Sequence, residues 1–164
     1  MSTSEQSADT LTLLAEFYAD KLASVLQHQA NARFVSQYDA NNTYQYVINR
    51  EEVQLAWLAK AIADGGGTVP ETAPVPTAPR GKEAHALFDE DVRGAQAFLD
   101  RWRPRVEALD HARHRAMLRV ILGETREQQR FFEQALAGRT DLLGKRGSAA
   151  GPAMGDVLPA RWIE

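Results

Sequence analysis

The chain has 164 residues, 44% of them hydrophobic, and a formal net charge of −3, which allows one domain with a buried core and argues against global disorder. Cysteine is absent, which excludes disulfides, thiolate zinc sites and Cys-ligated iron–sulfur clusters and leaves oxygen and imidazole as the candidate metal donors. Acidic and basic residues are interspersed, so there is no electrostatic footprint for nucleic acid, and no stretch has the length of a membrane span.

Residues 1–9 are polar, carry Glu5 and Asp9, and lack the apolar segment of a signal peptide; they are expected to form a disordered arm on a cytoplasmic protein. From Thr10 to about Tyr38, Leu11, Leu14, Tyr18, Leu22, Val25, Leu26, Ala30 and Phe34 recur at spacings of three and four, which predicts a first long helix. Asn41, Asn42 and Thr43 supply a turn and cap candidates. Tyr44, Val47, Ile48, Leu55, Leu58 and Ile62 then repeat the helical stripe until Gly65, Gly66 and Gly67 stop it. Two long helices joined so closely are expected to pack antiparallel.

Residues 68–82 contain Pro70, Pro74, Pro76 and Pro79, a composition that favours an extended linker. At about 3.1 Å per residue it spans roughly 45 Å, more than the roughly 30 Å of a 20-residue helix, so it is long enough to carry the chain from one end of a bundle to the other. A third helix is predicted from about Glu83 to Leu109, with Leu87, Phe88, Val92, Phe98, Leu99, Trp102 and Val106 inward and a kink at Pro104. Asp110 is a candidate cap for a fourth, from about His111 to Leu136, burying Met117, Val120, Ile121, Phe131 and Ala135 before Gly138. Residues 10–138 thus read as an all-α, antiparallel four-helix bundle with a Pro-rich crossover. Residues 139–164 read as a Gly/Pro-rich tail closing in Val157-Leu158-Pro159-Ala160-Arg161-Trp162-Ile163.

The informative residues are polar ones at core positions. Glu51 lies four after Val47, three after Ile48 and four before Leu55, and Gln54 shares its face. In the fourth helix Glu124 lies three after Ile121 and seven before Phe131, with Glu127 one turn on. A buried carboxylate is costly unless paired, protonated or bound to a cation. One explanation is an arginine from a neighbouring helix, for which Arg33, Arg50, Arg119 and Arg126 are available. For Glu127 the alternative is a stripe shifted by one residue, with Gln128 inside.

Glu51-x-x-Gln54 and Glu124-x-x-Glu127, on the second and fourth helices, resemble the paired Glu-x-x-His motifs of the ferritin-like superfamily, especially rubrerythrin-like bundles. That resemblance covers residues 10–138 and implies a central di-metal site, with one further Glu from each of the first and third helices. Both histidines are replaced here, by Gln54 and Glu127, and the first-helix acid by Gln27. On the third helix Asp91 is the matching acid, with Asp89 and Glu90 as competitors. What the resemblance implies is therefore a degenerate site in which Glu51, Glu124, Glu127 and Asp91 are the metal candidates. Any ion would be Fe or Mn by family, and the all-oxygen donor set suits hard ions such as Mn²⁺, Mg²⁺ or Ca²⁺. The expected role is that of a structural, binding or stress-associated module; the rival is a metal-binding oxidoreductase or an iron or manganese carrier.

His111 and His114 share a helical face but lie among Arg113 and Arg115, and read as solvated surface. Trp57 falls beside the apolar stripe and marks a candidate homo-oligomer interface. The run from Arg101 to Arg105 reads as a solvated face around one buried Trp102. The terminal apolar peptide is similar in outline to the docking tails with which some ferritin-like proteins enter encapsulin shells; the alternatives are docking on another protein and folding back on the chain's own body.

Overall fold

A computed structural model describes residues 3–79 and 82–143. The described residues form four helices and no strand: α1 (Thr3–Ala32), α2 (Tyr38–Asp64), α3 (Ala84–Glu107) and α4 (Ala112–Leu136). The protein is an all-α four-helix bundle. None of these helices is long and apolar enough to cross a membrane. The apolar terminal peptide at 157–163 lies outside the described residues.

The helix boundaries correct the sequence reading at three places. Residues 3–9, expected as a disordered arm, belong to α1. Neither glycine nor proline interrupts them, and Glu5 sits in the first turn, where the helix dipole favours negative charge. The turn between α1 and α2 falls at 33–37, ahead of the predicted Asn41–Thr43. Its cause is Asn41, whose side-chain amide reaches back from α2 to the carbonyls of Ala32 and Val35, at 3.0 and 3.2 Å. Asn41 thus ties the start of α2 to the last carbonyl of α1 and to a carbonyl of the turn. At the start of α4 the cap is His111, not Asp110, its ring Nδ1 accepting from the His114 backbone N–H at 3.3 Å. At the C-terminus of α2 the helix stops as expected, with Gly66 in the left-handed region at φ 79°.

α1 packs chiefly against α2 and α3 against α4, with lighter contact between α1 and α3 and between α2 and α4. Two apolar clusters fill the interior. One gathers Leu14, Phe17, Leu58, Trp102, Leu118 and their neighbours. The other gathers Val35, Tyr44, Val47, Leu87 and Phe132. On each helix the polar core residues fall between the stretches that feed these two clusters: Lys21 and His28 on α1, Glu51 and Gln54 on α2, Asp91 on α3, Thr125 and Gln128 on α4. The bundle therefore has a polar layer between two apolar halves.

The connection between α2 and α3 lies against α1. Val69 packs on the first cluster, and further along, Thr77 and Gln27 exchange hydrogen bonds, N–H to Oε1 at 2.9 Å and Nε2 to O at 3.0 Å.

Candidate functional site

Glu51 is fully buried, as its place in the stripe predicts. Its cation comes from α1: Lys21, 1% exposed, donates from Nζ to Glu51 Oε1 at 2.9 Å, with Thr125 Oγ1 on α4 at 3.4 Å. Glu51 Oε2 lies 2.8 Å from His28 Nδ1. An ionised carboxylate only accepts, so Nδ1 carries the proton of that bond. Nε2 of the same ring lies 3.6 Å from Asp91 Oδ1, an ion-pair distance beyond hydrogen-bond reach. Asp91, 4% exposed, accepts from Asn31 Nδ2 at 3.0 and 3.2 Å and from the Tyr44 hydroxyl. One chain of polar contacts thus runs Thr125, Lys21, Glu51, His28, Asp91, Tyr44, and touches all four helices.

The electrostatics follow from burial and from this pairing. Burial opposes ionisation of Glu51, but His28 and Lys21 together outweigh it and hold the carboxyl at about 2. Burial likewise opposes charging His28; Glu51 and Asp91 reverse the balance and raise its pKa above the ordinary value. Asp91 is raised, burial outweighing His28 and its hydrogen-bond donors. The Tyr44 phenol is raised by burial and by the neighbouring Asp91, so it remains a donor.

The predicted metal candidates do not share one centre. Glu51 and Asp91 meet through His28. Glu124 is at the seam between α2 and α4, where it accepts from Arg50 and from Gln54 Nε2. Glu127 is half-buried beside the inner face, because α4 turns Leu118, Ile121, Leu122, Thr125, Gln128 and Phe132 inward and leaves Val120 50% exposed. The shift of one residue follows from Thr125, Gln128 and Gln129 being core positions that an apolar-only stripe passes over. Among the described residues no three His, Asp or Glu side chains are grouped to hold a metal ion. The electrostatics argue the same way, since both oxygens of Glu51 already accept hydrogen bonds and the Lys21 ammonium beside them opposes a second cation.

No family model matches the chain. Nor does any curated protein or solved structure. The site is therefore read from its own chemistry.

Lys21, His28 and Asn31 are polar-layer residues that the sequence reading passed over, and Tyr44 was read only as part of an apolar stripe. A signal existed: Lys21 is the single Lys or Arg among residues 1–32, so a cation for Glu51 from α1 has to be Lys21 or His28. Trp102, by contrast, is buried as expected, with Nε1 donating to Asp20 Oδ2 at 2.6 Å. Trp57 is 37% exposed. It lines a surface groove of about 720 Å³ with Leu11, Met117, His111 and His114.

Beside Lys21 and His28 lies a cavity of about 230 Å³, entered between α1 and α3 where Ala23, Ser24, Gly94 and Ala95 are small. Phe98 and Phe132 give it apolar walls, and Thr125 and Gln128 reach it from α4.

Proposed function

We propose that this chain is a ferritin-like bundle whose degenerate centre is neutralised by its own Lys21 and His28 in place of metal, and that it works as a binding module for a small molecule. The observation that carries this reading is the fully buried Glu51 held by the ammonium of Lys21 at 2.9 Å. A carboxylate at the centre of such a bundle is costly unless it is paired, protonated or bound to a cation. Here the side chain of α1 supplies the cation, and its charge opposes a second one at Glu51.

The antiparallel, crossed-over topology of the family is part of the proposal. In support, contact partners run in opposite order along each adjacent pair. Asp20 pairs with Trp102 and Asn31 with Asp91 between α1 and α3. Lys21 pairs with Glu51 and Asn41 with Ala32 between α1 and α2. Glu107 pairs with Arg119 and Gln96 with Gln129 between α3 and α4. Such ordering supports α2 and α3 running the same way, and the contacts of the connection at Val69 and then Thr77 fit a path along the bundle.

The test is elemental analysis of protein purified without chelators or a nickel column. Substoichiometric Fe, Mn and Zn, together with a melting temperature indifferent to EDTA, is the expected result. Near-stoichiometric Fe or Mn that disappears in a Glu51→Gln, Asp91→Asn double variant would revive the carrier or oxidoreductase reading and end this one.

A further inference from the structure

We infer that the apolar peptide at 157–163 docks in the chain's own surface groove, at the end of the bundle where α1 begins, α2 ends and α4 begins, with Trp162 and Ile163 covering Trp57. The central polar layer takes no part in this contact, since none of its side chains lines the groove.

Leu11, Trp57, Ala61 and Met117 give the groove its apolar surface, and Trp57 remains 37% exposed there. Residues 5–9 of α1, beside it, are all exposed, although a helix in a protein draws most of its stability from the face it packs. This end of the bundle thus presents an indole and the start of a helix that the four helices leave uncovered. A cavity of about 150 Å³ holds benzene, so a groove of about 720 Å³ has room for an indole and two aliphatic side chains.

The occupant follows from what the same chain carries on a tether. Outside the four helices, Val157-Leu158-Pro159-Ala160-Arg161-Trp162-Ile163 is the run that brings together Val, Leu, Trp and Ile. Its reach is sufficient. Met117, in the groove, stands about 29 Å from Leu136 along α4 at roughly 1.5 Å per residue, whereas residues 144–156 extend to about 40 Å at roughly 3.1 Å per residue. A tether that spans its site gives the peptide an effective concentration approaching the millimolar range, far above that of a second copy in dilute solution. The groove also carries both signs of charge, Asp64 and Asp110 with Lys60 and Arg113, and so does the peptide's end, Arg161 and Glu164.

The chain has no cysteine, so Glu164→Cys gives a single attachment point for a nitroxide, whose broadening of nearby amides is read by NMR on the full-length isotope-labelled protein. The expected result is loss of the Thr10, Ala61 and Met117 amide signals while the nitroxide is oxidised and their return on its reduction, with Val35 and Gln134, at the opposite end of α1 and α4, keeping theirs. Trp162→Ala in the labelled chain should restore the groove signals and shift the Trp57 Nε1–H resonance. A mixture of isotope-labelled chain without nitroxide and unlabelled chain with it should show no loss. Groove signals unaffected by the nitroxide, or lost equally in Trp162→Ala, overturn the docking. Loss in the mixture also overturns it, because the peptide then sits on a second copy of the chain.

Discussion

Replacing Lys21 by Met probes the claim that the bundle supplies its own central cation. Methionine keeps the length and apolar stem of the side chain and removes the charge, so Glu51, fully buried, loses one of its two charged partners. Removing one member of a buried ion pair costs about 3–5 kcal/mol. His28 stays 2.8 Å from the other oxygen, which places the expectation near the lower end. The electrostatics of Glu51 set an upper bound. Glu51 is held at about 2 against an ordinary 4.5, which at about 1.4 kcal/mol per pKa unit is roughly 3 kcal/mol shared between His28, the larger cause, and Lys21, so it bounds the Lys21 contribution from above. Because the folded-state value is depressed, this contribution is present above pH 4.5 and is lost as pH falls toward 2. Urea unfolding at pH 7, followed by helical circular dichroism, is the assay, and a loss near 3 kcal/mol corresponds to a fall of about 10 °C in melting temperature for a chain of this length. The double variant Lys21→Met, Glu51→Gln should recover much of the loss, since replacing both members of a buried pair is often close to neutral. A single-variant loss below about 1 kcal/mol, the range of exposed ion pairs, would refute the reasoning.

Three further outcomes are expected. The imidazole of His28, identified in NMR by its disappearance in His28→Gln, should titrate above 6.5. The stability it lends is full below pH 6.5 and falls as pH rises through the elevated folded-state value, so His28→Gln should flatten that part of the stability profile. Asn41→Ala removes the donor to the Ala32 and Val35 carbonyls and should cost about 1–2 kcal/mol in urea unfolding, with increased amide exchange at residues 33–37. Trp102→Phe keeps the ring packed but loses the bond to Asp20; because Arg101 still reaches Asp20 at 3.0 Å, the cost should be about 1–2 kcal/mol, and Asp20→Asn in that background should add little.

The sequence determined the number and approximate limits of the helices, because apolar spacing, the glycines at 65–67 and the proline-rich connection act locally along the chain. It also placed Glu51 and Gln54 inside, since each falls at a position its own helix must bury, whereas Asp91 came only from the resemblance. What it could not decide was which residues those side chains meet. On α1 the apolar row through Tyr18, Leu22 and Leu26 was taken as the inner one, whereas Lys21 and His28 share the buried row with Leu14, Phe17 and Val25; which of two neighbouring rows faces inward is decided by the helices packed against them. The rotation of α4 by one residue was undecided for the same reason, and it leaves Glu124 at the seam between α2 and α4 with Arg50 and Gln54. A charge is tolerated in a core only by virtue of its neighbours, and those neighbours come from packing between helices distant in sequence. The tertiary structure alone therefore separates a carboxylate awaiting a metal from one already matched by a lysine.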